Sequence, residues 1–175
     1  PGSARLSVPG STSSYPLQRH GAGGKGKENS EHVPLHRGAA RHGRDDEVRR
    51  LLATGADVAE GKTNDPSISA LLVTSEQGHT STASLLLAAG AAVNQATNSG
   101  IGDGTTALHA ASANGHTDTA SVLLAAGAAV NQALKQGTTA LCIASQEGHS
   151  ATASVLLAAG AAVNQAKGDG ATPLF

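Results

Sequence analysis

One eleven-residue block constrains this chain more than any other feature. Leu86-Leu87-Ala88-Ala89-Gly90-Ala91-Ala92-Val93-Asn94-Gln95-Ala96 returns unchanged from Leu123 to Ala133 and again from Leu156 to Ala166. A degenerate copy reads Leu51-Leu52-Ala53-Thr54-Gly55-Ala56-Asp57-Val58. Successive copies are 35, 37 and 33 residues apart. A Gly-His pair, at Gly78-His79, Gly115-His116 and Gly148-His149, precedes each of the three full copies at the same distance. Self-similarity at this step marks a stack of small units, none of which can bury its apolar face alone.

Composition says what the core of such a stack is made of. Of 175 residues, 39% are hydrophobic, and 34 of these are alanine and 18 leucine. There is one Tyr, one Phe, no Trp and no Met. The core must therefore be thin and built from Ala and Leu. Leu123, Leu124, Leu156 and Leu157 are the largest side chains the later units can contribute. Leu124→Ala is expected to cost about 2–5 kcal/mol.

Several function classes fall away. One cysteine, Cys142, allows neither an intramolecular disulfide framework nor a cysteine-based zinc site. A net charge of −1 does not suit a general polyanion binder. No apolar run approaches the roughly 20 residues needed to span a bilayer. With Pro1 first and no methionine anywhere, the sequence reads as a fragment or a processed product.

The organisation is a tail followed by an array. Residues 1–30 are rich in Gly, Ser, Pro and basic residues, lack apolar periodicity, and read as disordered. Residues 31–175 read as the array, with a degenerate first unit at 31–62. The second unit takes 63–102, the third 103–134, the fourth 135–167, and a truncated fifth 168–175. Charge is uneven: residues 1–60 carry nine Lys/Arg and seven Asp/Glu, and residues 61–175 only three and six. Arg41 to Arg44 and Arg49-Arg50, interleaved with Asp45, Asp46 and Glu47, read as a solvated N-terminal cap.

Residues 104–130 show how one unit is built. Thr106 caps a helix with Leu108, Ala110 and Ala111 on its apolar face. Gly115 ends it, because glycine takes the left-handed conformation without steric cost. Thr117 or Asp118 starts a second helix with Ala120, Leu123 and Leu124 inward, and Gly127 terminates that one. Ala128-Ala129-Val130-Asn131 leads into the next unit.

This unit resembles the ankyrin repeat, whose pattern is G-x-T-P-L-H-x-A-A-x-x-G-H followed by L-L-x-x-G-A-D-V-N. Here Gly104-Thr105-Thr106-Ala107-Leu108-His109-Ala110-Ala111 through Gly115-His116 meets it, as do Leu123 to Asn131. Gly137 to Asn164 repeats the match. The proline of the pattern is Ala107 and Ala140 here, and survives as Pro34 and Pro173. The motif histidine is kept at His109 and His36 but is Leu72 and Cys142 in two units. Four extra residues between Asn94 and Gly104, including Gly100-Ile101-Gly102, should make that loop protrude.

Catalytic and cofactor patterns do not hold up. Gly21 to Gly26-Lys27 has P-loop spacing, but Glu28 stands where Ser or Thr would hold magnesium, and no strand precedes it. Gly100-Ile101-Gly102-Asp103-Gly104 lacks the strand and glycine spacing of a dinucleotide loop. His79, His116 and His149 sit on successive units, and helices packed about 8–10 Å apart cannot share one ion at about 2.0–2.1 Å. These histidines are expected to act locally in the inter-helix turn. Cys142 reads as a small packed apolar residue. No cofactor, metal or small-molecule substrate is implied.

What the resemblance implies is an all-α helix-turn-helix solenoid with hairpin connections, acting as a non-enzymatic scaffold for a partner protein. The variable surface positions carried over are Asp65, Glu76 and Gln77 in the second unit. They are Asp103, Thr105, Ala113 and Asn114 in the third, and Lys135, Gln136, Thr138, Gln146 and Glu147 in the fourth. Asn94, Asn131 and Asn164 are similar to the asparagines that asparaginyl hydroxylases modify in ankyrin repeats. Two alternatives stay open: a scaffold segment of a larger enzyme such as a kinase or ubiquitin ligase, and a nucleic-acid contact through the basic tail. No membrane contact is expected. Leu141, Ile143, Val155, Leu156 and Leu157 should form an open C-terminal face through which the chain self-associates or frays.

Overall fold

The computed structural model describes residues 37–56, 69–98, 104–165 and Thr172. The tail, Asp65, Asp103, His36 and the rest of 168–175 lie outside the described residues. Among the described residues eight helices follow in chain order. They are α1 (Arg37–Arg41), α2 (Asp45–Ala53), α3 (Ala70–Gln77), α4 (Thr80–Ala88), α5 (Ala107–Ala113), α6 (Thr117–Ala125), α7 (Ala140–Gln146) and α8 (Ser150–Ala158). The odd-numbered helices pack in one row, α1 on α3 on α5 on α7, and the even-numbered helices in a second row beside it. Each helix pair touches its neighbours in sequence, as expected for a one-dimensional stack.

Local chemistry sets the helix ends. The first helices start at hydroxyl caps: the Ser69 hydroxyl accepts from the Leu72 N–H at 3.2 Å, and that of Thr139 from the Cys142 N–H at 3.3 Å. Thr106 and His109 form a reciprocal capping box on α5. Each second helix ends one residue before a cap that is followed by glycine at positive φ, as at Gly90, Gly127 and Gly160. Between the third and fourth pairs, Ala133 and Thr139 form an isolated antiparallel bridge, with Lys135 and Gln136 at the tip of the turn it closes. The enlarged loop is closed at its base in a similar way. The Thr97 N–H donates to the Thr105 carbonyl at 3.0 Å and the Gly104 N–H to the Thr97 carbonyl at 2.8 Å.

The core is a file of small side chains with one fully buried leucine from each of α4, α6 and α8, Val48 from α2, and Leu71, Leu108 and Leu141 from the first helices. Leu86, Leu123 and Leu156 are fully buried, alongside Ala83 and Ala120. This corrects the expectation for the leucine pairs. Leu124 is only half-buried, packed on the rim of the core, and Leu157 is 45% exposed. One residue further along a helix turns a side chain by about 100°, which in α6 and α8 carries Leu124 and Leu157 off the buried face that Leu123 and Leu156 occupy. Ala110 is likewise half-buried. Of the side chains expected at an open C-terminal face, Leu141 and Leu156 are buried, Ile143 and Val155 half-buried, and only Leu157 is exposed.

Leu123→Ala should therefore cost about 2–5 kcal/mol, and Leu157→Ala well under 1 kcal/mol. Urea unfolding of the two variants checks the order. Equal midpoints would show that the leucine facing the core has been misassigned.

Candidate partner-binding face

Three ladders of contacts fix each unit on the one before it. The first is the Gly-His pair. His79 Nε2 meets the Arg41 carbonyl at 3.0 Å, His116 Nε2 the Glu76 carbonyl at 3.1 Å, and His149 Nε2 the Ala113 carbonyl at 3.1 Å. Because a carbonyl only accepts, Nε2 carries the proton in each ring. These histidines therefore do not act within their own turn, as their position in the sequence suggests, but reach back to the preceding unit. Each ring lies over a glycine of that unit. A Cβ on Gly43, Gly78 or Gly115 would fall 2.7, 2.5 or 2.6 Å from the ring of His79, His116 or His149.

The second ladder joins the starts of the second helices. The Thr82 hydroxyl donates to the Asp45 carboxylate. Thr80 and Thr119 share a hydrogen bond of 2.8 Å, and Thr117 and Thr152 one of 2.9 Å. Asp45 is held below the usual carboxylate range, first by the Thr82 hydroxyl and then by that of Ser81, with Arg49 adding to the effect. The third ladder runs through the loops. Asn94 accepts from the Ala129 N–H at 2.8 Å and donates to the Gly127 carbonyl at 3.2 Å. Asn131 accepts from the Ala162 N–H at 2.7 Å and donates to the Gly160 carbonyl at 3.3 Å.

With these contacts turned toward neighbouring units, other polar side chains remain on the surface. Glu76 and Gln77, Ala113 and Asn114, and Gln146 and Glu147 are exposed at the C-terminal ends of α3, α5 and α7. Lys135 and Gln136 are exposed at the hairpin tip, and Thr105 is half-buried at the base of the enlarged loop. The two groups fall at opposite ends of the first helices, separated on α7 by seven residues, or about 10 Å of helix. Thr138 does not join them. It is 5% exposed, and its carbonyl accepts from the Leu134 N–H at 2.9 Å inside the hairpin.

The first helices also hold a buried imidazole. His109 is 2% exposed, and its Nδ1 accepts from the Thr106 N–H at 3.3 Å and lies 2.8 Å from the Thr106 hydroxyl. Nε2 has no hydrogen-bond partner. Burial pushes the imidazole below its usual range. The backbone of Gln132 and Thr138 works the other way, though neither carbonyl reaches hydrogen-bond geometry with Nε2. At the equivalent position Cys142 takes a 3.4 Å bond from the Thr139 hydroxyl to its sulfur, and Leu72 takes none through its side chain.

Among the described residues, no three His, Cys, Asp or Glu side chains lie close enough to hold a metal ion, and no helix is long and apolar enough to cross a membrane.

Helix pairs stacked in register, tied by glycine-seated histidines and loop asparagines, define a helical repeat solenoid. The family model for ankyrin repeats in three copies matches residues 35–133 and 71–167, and the chain belongs to the ankyrin repeat family. A search of curated proteins returned no match. Ankyrin repeats are generally protein–protein interaction modules, and their domains are typically non-catalytic.

Two predictions follow from this geometry. Gly115→Ala and Gly127→Ala both strain a positive φ, but only Gly115 carries a ring in the next unit's path. Gly115→Ala should be the more destabilising by about 1–3 kcal/mol in urea unfolding, and equal costs would mean the ring does not depend on the glycine. For His109 the folded-state pKa lies below the unfolded value of about 6.5. Its contribution to stability is complete above that pH and is lost as pH falls toward the folded value, because the unfolded chain takes up the proton first. Midpoints measured between pH 7 and pH 5 should fall less steeply for His109→Leu than for the parent chain.

Proposed function

We propose that the array is a scaffold that binds a partner protein across the exposed C-terminal ends of its first helices, with the hairpin tips at the opposite ends of those helices as a second contact region. The observation that carries this reading is the division of labour among polar side chains. Histidines, threonines and asparagines of the ladders are committed to neighbouring units. Glu76, Gln77, Asn114, Gln146 and Glu147 line successive units with their side chains exposed. A rigid row of this kind meets a partner without the entropy cost of ordering a loop. Asp65 and Asp103 extend the same proposal to residues outside the described ones, Ala113, Thr105, Lys135 and Gln136 remain in it, and Thr138 leaves it. The row carries amides and two carboxylates, with Lys135 at the hairpin tip, which favours a partner surface rich in hydrogen-bond donors over a nucleic acid.

The test compares two triple variants in a quantitative pull-down with mass-spectrometric identification. Gln77→Arg, Asn114→Arg and Gln146→Arg together alter the proposed face. Ser84→Arg, Ser121→Arg and Ser154→Arg alter the exposed side of α4, α6 and α8. A specific partner should bind the first variant at least about tenfold more weakly, or about 1.4 kcal/mol, and the second unchanged. Loss of binding only in the second variant would move the interface to the outer row.

The hydroxylation reading of Asn94, Asn131 and Asn164 is retained as a proposal, ordered by the contacts around each amide. Asn94 and Asn131 clamp the following loop through both amide atoms, whereas Asn164 makes no such bond among the described residues. Incubation with an asparaginyl hydroxylase should add one oxygen to Asn164 first, and peptide mass mapping reads the order.

A further inference from the structure

The row of exposed side chains at the ends of the first helices does not begin with the second unit. Gly43, Gly78, Gly115 and Gly148 hold the same place after α1, α3, α5 and α7, each at a φ between 61° and 76°. Arg41, Glu76, Ala113 and Gln146 stand two residues before these glycines, and His42, Gln77, Asn114 and Glu147 one residue before. The histidine ladder fixes the same register, because the carbonyls that meet His79, His116 and His149 belong to Arg41, Glu76 and Ala113. All of these side chains are exposed. By sequence the arginines of the first unit are alike, a solvated cap; the structure separates them. Arg44 pairs with Glu47 at 3.0 Å and Arg49 with Asp46 at 3.7 Å. Arg41 enters no ion pair among the described residues and stands at the head of the row.

Along the stack the row therefore carries a guanidinium, a carboxylate, no charge, and a carboxylate. Packed helices lie about 8–10 Å apart. Salt screens exposed charges over about the same distance, so each unit presents its own sign rather than a shared average. We infer that this face, taken as the partner-binding face proposed above, accepts an extended protein segment whose charges run in the complementary order. A carboxylate lies over Arg41 and His42, a cation over Glu76, an uncharged stretch over Ala113 and Asn114, and a second cation over Glu147. Each unit offers two exposed residues, a strip narrow enough for one extended strand. Such a strand rises about 3.3 Å per residue and so advances about three residues per unit. The first cation is then about three residues from the carboxylate, and the second about six residues further on. The same segment laid in the opposite sense sets a cation against Arg41 and its carboxylate against Glu147, and like-charge contacts reject it.

The test selects random phage-displayed peptides of about 16 residues, which when extended exceed the roughly 25–30 Å of the row, on the whole chain at low salt. The selected peptides should share an acidic residue and two basic residues, about three and about nine positions from it. Arg41→Glu should weaken their binding roughly fivefold. Replacing the acidic residue of the peptide by lysine should restore binding to that variant, which also shows that the variant is folded. Arg49→Glu changes the net charge equally and should leave binding unchanged. Peptides that lose binding to the Gln77→Arg, Asn114→Arg, Gln146→Arg chain but are indifferent to Arg41→Glu would leave the face standing and overturn the charge order. Peptides indifferent to both would overturn the face as well. A selection that yields no binding peptide would overturn the extended segment as the occupant.

Discussion

The seating of a histidine from one unit over a glycine of the unit before it is the contact on which the rest of the stack depends. The glycine has two jobs that no other residue combines. Its positive φ turns the chain out of the first helix, and its missing side chain leaves room for the ring. With the ring seated, Nε2 reaches a backbone carbonyl at the end of the preceding first helix and satisfies one of the acceptors that a helix C-terminus leaves unpaired. That bond sets the spacing between neighbouring pairs. The threonine bonds between second helices and the asparagine clamps between loops then close at 2.7–3.3 Å on the same spacing.

This arrangement explains how a core so poor in large side chains holds together. From the second unit onward each helix pair buries alanines around one leucine of its first helix and one of its second, which yields modest apolar area. Direct polar ties on both flanks of that thin core supplement it. In a one-dimensional stack, stability is close to a sum of unit and interface contributions. Arg44 and Glu47, at the positions of the ladder histidine and threonine, pair with each other, and Gly148 carries no ring within 4 Å where Gly43, Gly78 and Gly115 do.

The same economy shapes the surface. The polar residues that build the ladders face neighbouring units, whereas Glu76, Gln77, Gln146 and Glu147 stand exposed at the ends of the first helices, and Asn114 there donates to the Ala110 carbonyl of its own helix at 2.9 Å. A protein that binds through such a row reads the exposed residues while the ladders hold their spacing constant. Buried His109 adds a dependence of stability on pH in the third unit. Leu72 and Cys142 stand at the equivalent positions, so no imidazole is buried there.

Much of this was legible from the residues alone, because it depends on neighbours in the chain. The helix start at Thr106, the reversals at Gly115 and Gly127, and the stacking step all follow from capping chemistry, glycine's conformational freedom and repetition. What the sequence could not decide was direction across an interface. It left Leu123 and Leu124 as equal candidates for the core, placed Thr138 on the surface, and kept His116 within its own turn. The tertiary structure buried Leu123 and Leu156 but not Leu124 and Leu157, drew Thr138 inward and sent the histidines back to the preceding unit. The physical reason is that periodicity defines a unit, whereas burial and hydrogen-bond partnership belong to pairs of units. The partner of His116 lies 40 residues away at Glu76, and only the register of the assembled stack brings the two together.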